Sequence, residues 1–313
     1  MFGHTIRIPR AAVVLGALVS LVALGAPAAG AQFPQRARPL SGVAYTIHVG
    51  GAPHAGSGMA AAMASPSPTY TASAIFAAGR GRLDILEGGV ESLFAKGDYV
   101  LFDSTDLVIV HPATREFVPL PRDAADKQLT QIEAMGLKLT IADVKVTIDS
   151  VPGSDTVAGR ATRHFRMTTA FTMAIDAGAM QQRLATESTT DYWVASIPGM
   201  PGNPLLQANG FASTPVSTGM FKELSSRVDS AAARMGSAVA LKTATFSRLI
   251  QGPGSIVQMQ QTSEVSGLKQ RDVDESMLIL PAGYKQGVLP GTEGAPIGDT
   301  GAKWRTLPAR RFP

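Results

Sequence analysis

The sequence predicts a mainly β fold with some α: one strongly curved antiparallel sheet, a half-barrel of roughly ten strands, with two helices on its concave side. Three observations carry this. Apolar residues recur with a period of two in many separate runs between 42 and 280, as in half-buried strands. Turn residues punctuate those runs at close spacing, which marks antiparallel rather than crossover connections. Only two stretches, 123–135 and 218–235, change to a helical period.

In chain order, Gln32 to Ser41 is a Pro- and Arg-containing lead-in. Gly42 to Val49 is the first strand, with Val43, Tyr45, Ile47 and Val49 on one face and Ala44, Thr46 and His48 on the other. Gly50 to Pro68, rich in Gly, Ala, Ser and Pro, reads as a loop. A meander follows: Tyr70–Ala77, Arg82–Leu86, Asp98–Phe102, Leu107–Val110 and Glu116–Leu120. Asp103-Ser104-Thr105-Asp106 and His111-Pro112-Ala113-Thr114 supply its turns, and Pro119 and Pro121 end it because proline donates nothing to a ladder.

Asp123–Met135 reads as a short helix, with Ala125, Leu129 and Ile132 on one face, acids in the first turn and Gly136 at the stop. Beyond it the apolar phase slips. Leu137, Leu139 and Ile141 are odd, Val144, Val146 and Ile148 even, so a bulge or sharp bend is expected at Ala142-Asp143. Phe165, Met167, Thr169, Phe171, Met173 and Ile175 give the most regular strand, with Ala185–Ser196 as its expected partner. After a Pro/Gly loop, Thr218–Met235 reads as the main amphipathic helix, with Phe221, Leu224, Val228, Ala231, Ala232 and Met235 on one face and Gly236 at its end. Ala238–Ile250 and Ser255–Val265 form a hairpin, and Met277–Tyr284 closes the domain. From Lys285 on, Gly and Pro dominate without periodicity, and 285–313 is expected to be a disordered basic tail.

Residues 1–31 have the form of a secretory leader: Arg7 and Arg10, an uncharged run Ala11–Gly25, and a small-residue end Ala29-Gly30-Ala31. The run is short for a membrane span, which takes about 20 apolar residues. Cleavage near Ala31 would leave an exported chain, periplasmic or extracellular, starting at Gln32; an uncleaved anchor is the competing reading. There is no cysteine. That excludes disulfides, thiol catalysis, cysteine-ligated metals and the thioether anchor of a lipoprotein. The formal charge of +4 is carried by the ends. Two arginines sit in the leader and a net three positive charges in 285–313, so 32–284 holds about −1 and no broad basic face for nucleic acid is implied.

Chemistry-bearing motifs are scarce. His48, His54, His111 and His164 are scattered, with no i, i+4 pair of a helical zinc site. His54-Ala55-Gly56-Ser57-Gly58 lacks the first glycine of a nucleophile elbow. Gly79-Arg80-Gly81 does not extend to a dinucleotide fingerprint. Asp272-Val273-Asp274-Glu275 begins like a calcium loop but has Met277 where the turn glycine belongs. No cofactor and no metal is expected.

The order Gly81-Arg82-Leu83-Asp84, Gly97-Asp98-Tyr99-Val100, Val110-His111-Pro112, Val157-Ala158-Gly159-Arg160-Ala161-Thr162-Arg163, Asp191-Tyr192-Trp193 and Leu280-Pro281-Ala282-Gly283-Tyr284 resembles an uncharacterised, domain-of-unknown-function family of exported bacterial proteins. That family is similar to the periplasmic lipoprotein-carrier fold, an unclosed antiparallel barrel with helices plugging its concave side. The resemblance covers most of 42–284. It departs in the loop 50–68, in Ala161-Thr162-Arg163 where the family often has a glutamate-cysteine pair, and in the basic tail. It implies an apolar cavity for acyl chains.

Two functional classes follow. The first is a non-catalytic exported binding protein, taking a lipid, lipoprotein or other apolar ligand in a groove lined by Phe165, Met167, Phe171, Met173, Trp193, Phe221, Leu224 and Val228. Simple core packing is the competing role for all eight. The second is a structural or interaction module of the cell envelope with no small-molecule ligand. An enzyme ranks third, since it would need carboxylates or histidines brought together only by folding.

Overall fold

The structure, a computed structural model, describes residues 39–55, 69–90, 93–103, 107–120, 138–176, 181–198, 222–251, 256–288 and 304–305. Its strands are β1 (Leu40–Ala55), β2 (Thr69–Ala77), β3 (Arg80–Val90), β4 (Phe94–Ala95), β5 (Tyr99–Phe102), β6 (Leu107–His111), β7 (Glu116–Leu120), β8 (Lys138–Val157), β9 (Arg160–Asp176), β10 (Gln181–Ala195), β11 (Val239–Ile250), β12 (Ile256–Val273) and β13 (Lys285–Gln286). All belong to one open, curved sheet, ordered β13-β7-β6-β5-β3-β2-β1-β12-β11-β10-β9-β8, with β4 paired beside β3. Every pairing is antiparallel except that of β13 with β7.

Two meanders meet at a seam. β1 through β7 run outward in one direction and β8 through β12 return in the other, so the last long strand closes against the first. That seam runs from Leu40↔Val273 to Ala55↔Gln258, with register shifts between Ala44 and Thr46 and between Ala52 and Ala55. The first strand therefore continues past its alternating stretch into Gly50–Ala55, where a loop was expected. Its backbone there is paired by the polar β12, which supplies ladder partners whatever the side chains of β1 are.

Local sequence explains the joints. The β2–β3 and β8–β9 hairpins turn on Ala78-Gly79 and Ala158-Gly159, each residue at positive φ, the two-residue geometry that matches strand twist. The expected irregularity in β8 is present: register shifts between Ala142 and Lys145, with Asp143 at φ 57°. A second shift falls between Val151 and Ser154, at Pro152-Gly153. At Gly81 the Phe102 ring lies where a Cβ would stand, so the close approach of β5 to β3 requires glycine.

The main core lies on one face: Val43, Tyr45, Ile47 and Val49 of β1, Phe76 of β2, Leu83 and Ile85 of β3, Val100 of β5, Ile109 of β6, and Phe165 and Met167 of β9. A single α-helix, α1 (Lys222–Ala232), stands among the described residues and ends in a 3-10 turn, Ala233–Met235. Gly236, at φ 71°, stops it and returns its N–H to the Ala233 carbonyl. Leu224 and Ala231 are buried, and Ala231 and Met235 join the main core with Val228 and Ala232 packed against it. Arg234 donates to the Ile148 carbonyl of β8 (2.6 Å) and Arg163 of β9 to the Met235 carbonyl (3.1 Å), fixing the helix end over β8 and β9. Cations at a helix C-terminus also complement its dipole. The second expected helix, 123–135, lies outside the described residues, as do residues 1–31, the expected Pro/Gly loop 199–216 and Phe221 with the expected start of the main helix.

The opposite face of the first meander is covered by the chain's end. Tyr99, Leu101, Val108, Val110 and Phe117 pack with Leu280 and Trp304. Leu280 donates its backbone N–H to the Trp304 carbonyl (2.7 Å), and the Arg80 guanidinium stacks 5.0 Å from the Trp304 ring centre. Of the tail expected to be disordered, 285–313, only 285–288 and 304–305 are described. Residues 285–286 form β13 and Trp304 is 1% exposed. Periodicity does not flag Trp304, because it measures a face and not a single anchor.

Candidate functional site

Strand register sorts the sequence-derived groove residues. Phe165, Met167, Phe171 and Met173 alternate on β9 and share the helix-bearing face. Cross-strand pairs extend that face in rows. Phe165, Tyr192, Thr243, Ser263, Val49 and Tyr70 make one; Met167, Thr190, Thr245, Gln261 and Gly51 the next. Thr169, Ser188, Ser247 and Met259 follow, then Phe171, Thr186, Leu249 and Val257, then Met173 and Leu184.

These rows have three zones. Near α1, Phe165 and Met167 are buried in the main core with Ala231, Met235 and Val228 of the helix end, and Leu224 is buried on the helix, so at that level the sheet–helix interface is filled. At the far end Leu184, Leu249 and Val257 form a second apolar cluster with half-buried Met173, Ile175 and Met259. A band of hydroxyls crosses β10, β11 and β12 in the first three rows and reaches the level between the two zones. Ser188 pairs with Ser247 (2.9 Å), Thr190 with Thr245 (3.1 Å) and Thr243 with Ser263 (2.6 Å). Thr243 and Ser263 are fully buried, and hydrogen bonding to each other offsets the cost of desolvating them. The Gln261 side-chain nitrogen is buried in this band without a hydrogen-bond partner, and the Tyr45 hydroxyl is likewise buried and unpartnered within the main core. Burial, and after it the neighbouring Tyr70, pushes the Tyr45 phenol far above its ordinary value, so it stays a neutral donor.

Trp193 does not belong to this face. It pairs with His164 on β9 and Lys242 on β11, and the alternation puts all three on the other side, although Trp193 also touches the margin of the main core. Its ring stacks on His164 at 4.5 Å, Lys242 lies 5.3 Å from its centre, and its Nε1 donates to Asp155 (2.7 Å). His164 Nε2 contacts Asp191 (2.8 Å), which also accepts from Arg166 Nε (2.9 Å) and Nη2 (3.1 Å). Burial opposes ionisation of Asp191, yet the hydrogen bonds from Arg166 and His164, and then their charges, outweigh it and hold the carboxyl below the usual aspartate range. This cluster spends its groups on one another and presents no nucleophile.

The same outer row continues from Lys242 through Glu264, His48 and Thr71 to Glu87. Here an open cleft of about 430 Å3 is lined by His48, Thr71, Glu87, Thr262 and Glu264 among others. His48 Nδ1 lies 3.2 Å from the Thr71 hydroxyl and Nε2 3.4 Å from that of Ser266, while Glu264 bridges to Lys242 at 3.2 Å. Both glutamates are exposed, and among the described residues no three His, Cys, Asp or Glu side chains gather as a metal site.

Sequence reading missed the hydroxyl band and the His48 cleft. The band had a signal: Thr186, Ser188 and Thr190, and Thr243, Thr245 and Ser247, recur every second residue, a polar face as regular as the apolar one. The cleft had none, because Thr262 and Glu264 of β12 reach β1, β2 and β3 only through the seam. Neither family models nor curated proteins match this sequence.

Proposed function

We propose that this chain is an exported, non-catalytic binding protein that holds an apolar ligand on the helix-bearing face of its sheet. In this reading residues 1–31 are a cleaved leader, the product works in the periplasm or outside the cell, and 123–135 forms a second helix beside α1 on a concave side. The observation that carries it is the strip beyond the filled core, where Phe171, Met173, Ile175 and Met259 are only half-buried beside the buried Leu184, Leu249 and Val257. Half-buried apolar side chains contiguous with a dry cluster are what an apolar ligand covers. Support for the absence of catalysis comes from the two titratable clusters. His164, Asp191 and Arg166 bond one another, and in the His48 cleft the imidazole lies against hydroxyls while Glu264 pairs with Lys242. No described helix is long and apolar enough to cross a membrane.

Native mass spectrometry of the protein, exported with its own leader and purified without detergent, tests this. A co-purified hydrophobic adduct of defined mass, lost on Met173→Asp, is expected. A wild-type spectrum containing only the bare polypeptide overturns the reading and favours an interaction module of the envelope.

A further inference from the structure

We infer that the hydroxyl band is a polar subsite for the linkage region of a neutral amphiphile: ester or amide carbonyls that join hydrocarbon chains to the rest of the molecule. This rests on the reading of the helix-bearing face as a ligand site and names the ligand's chemistry.

The face has a sequence of environments that matches such a molecule. A hydrocarbon-lined strip (Phe171, Met173, Ile175, Leu184, Leu249, Val257) runs along the strands. From Thr169 to Ile175 the rise is about 20 Å, the scale of a long acyl chain. The strip gives way at one level to hydrogen-bonding groups. Ser188–Ser247 is a hydroxyl pair at 2.9 Å, and within such a pair one O–H hydrogen remains unspent. Diagonally across sits Gln261, whose side-chain nitrogen is buried with no acceptor. A buried amide donor left unmade costs about 1–3 kcal/mol, so the site selects an occupant that accepts.

Charge defines the rest. The helix-facing positions 165–175 of β9, 182–192 of β10, 243–249 of β11 and 257–263 of β12 include no Lys, Arg, His, Asp or Glu. Arg163 and Arg234, the cations at the helix end, are hydrogen-bonded to the backbone carbonyls of Met235 and Ile148. Among the described residues nothing at the band compensates a carboxylate or phosphate, whose transfer into such surroundings is far costlier than that of a carbonyl. A pure hydrocarbon, in turn, would leave Gln261 unpaired. A carbonyl-bearing neutral amphiphile meets both conditions.

The test compares dioleoylglycerol, oleate and hexadecane, each offered separately to delipidated full-length protein and to Gln261→Leu and Ser247→Ala, with uptake read by native mass spectrometry. Wild type should retain the diester about tenfold better than hexadecane, with oleate weaker than the diester. Gln261→Leu should lose about tenfold for the diester, one hydrogen bond's worth, while hexadecane uptake holds or rises. Ser247→Ala should move the same way, and it decides alone if Gln261→Leu fails to fold by near-ultraviolet circular dichroism. Equal retention of diester and hexadecane by wild type, tighter binding of oleate, or diester uptake unchanged in the folded variants overturns the inference while leaving the apolar-ligand reading intact. Uptake of none of the three probes overturns both.

Discussion

The two meanders of this sheet solve burial differently. In the first, β5, β6 and β7 have four or five residues and little polar surface: Tyr99–Phe102 are all buried, as are Val108–Val110 and Phe117–Pro119. Such strands need cover on both faces. The main core supplies one side, and the chain's end, through Leu280 and Trp304, supplies the other. In the second, β8 to β12 run twelve to twenty residues, with charged pairs outside and hydroxyls within. Length and polarity go together there, since a long strand dry on both faces would have to be covered along its whole length. The first meander is covered on both faces, and the second keeps half-buried apolar and hydroxyl side chains along its helix-bearing face.

The largest expected effect breaks the first meander. Trp304→Ala should destabilise the protein by about 3–5 kcal/mol, read from the midpoint of urea unfolding, because it removes a buried ring from between Leu101, Phe117 and Arg80. A shift under ~1 kcal/mol would mean that the tail is not needed to close that face.

A mid-sized effect sharpens the second meander. Thr243→Val should cost about 1–3 kcal/mol by removing the buried Thr243–Ser263 hydrogen bond, and adding Ser263→Ala should cost less than the sum of the two single losses. Additive losses in the double variant would show that the two hydroxyls serve separate partners.

The smallest effect lies on the outer face. The carboxyl of Asp191 titrates below its unfolded value, so the unfolded chain binds the proton first as pH falls. Its contribution is complete above the unfolded value of about 3.9 and is lost as pH drops through the lower folded value. Asp191→Asn should therefore flatten the fall of the urea midpoint between pH 5 and pH 3 relative to wild type. Parallel curves would remove Asp191 from the acid response.

Much of the sheet was legible residue by residue. Strands at 70–77, 99–102, 107–110, 116–120 and 165–175, the slip at Ala142-Asp143 and the stop at Gly236 all follow from local rules of alternation, turn chemistry and capping. The groove was only partly legible. Phe165, Met167, Phe171 and Met173 share a face because strand period is strict, and Leu224 and Val228 follow from helical period. Trp193 was misplaced because the rule that separates faces acts between strands: only its pairing with His164 and Lys242 shows that it points away from Phe165.

The sequence by itself determined that this is a cysteine-free antiparallel sheet protein with an amphipathic helix near 222–235, since those properties reside in composition and in short-range period. Tertiary structure decided the rest: that β12 returns to β1, that Trp304 seals the first meander, and that the hydroxyls of β10, β11 and β12 form one band. Each of these depends on pairing between segments far apart in the chain. Side-chain pattern tells a strand which face to bury, and backbone hydrogen bonds, alike for nearly every residue, do not tell it which neighbour to take.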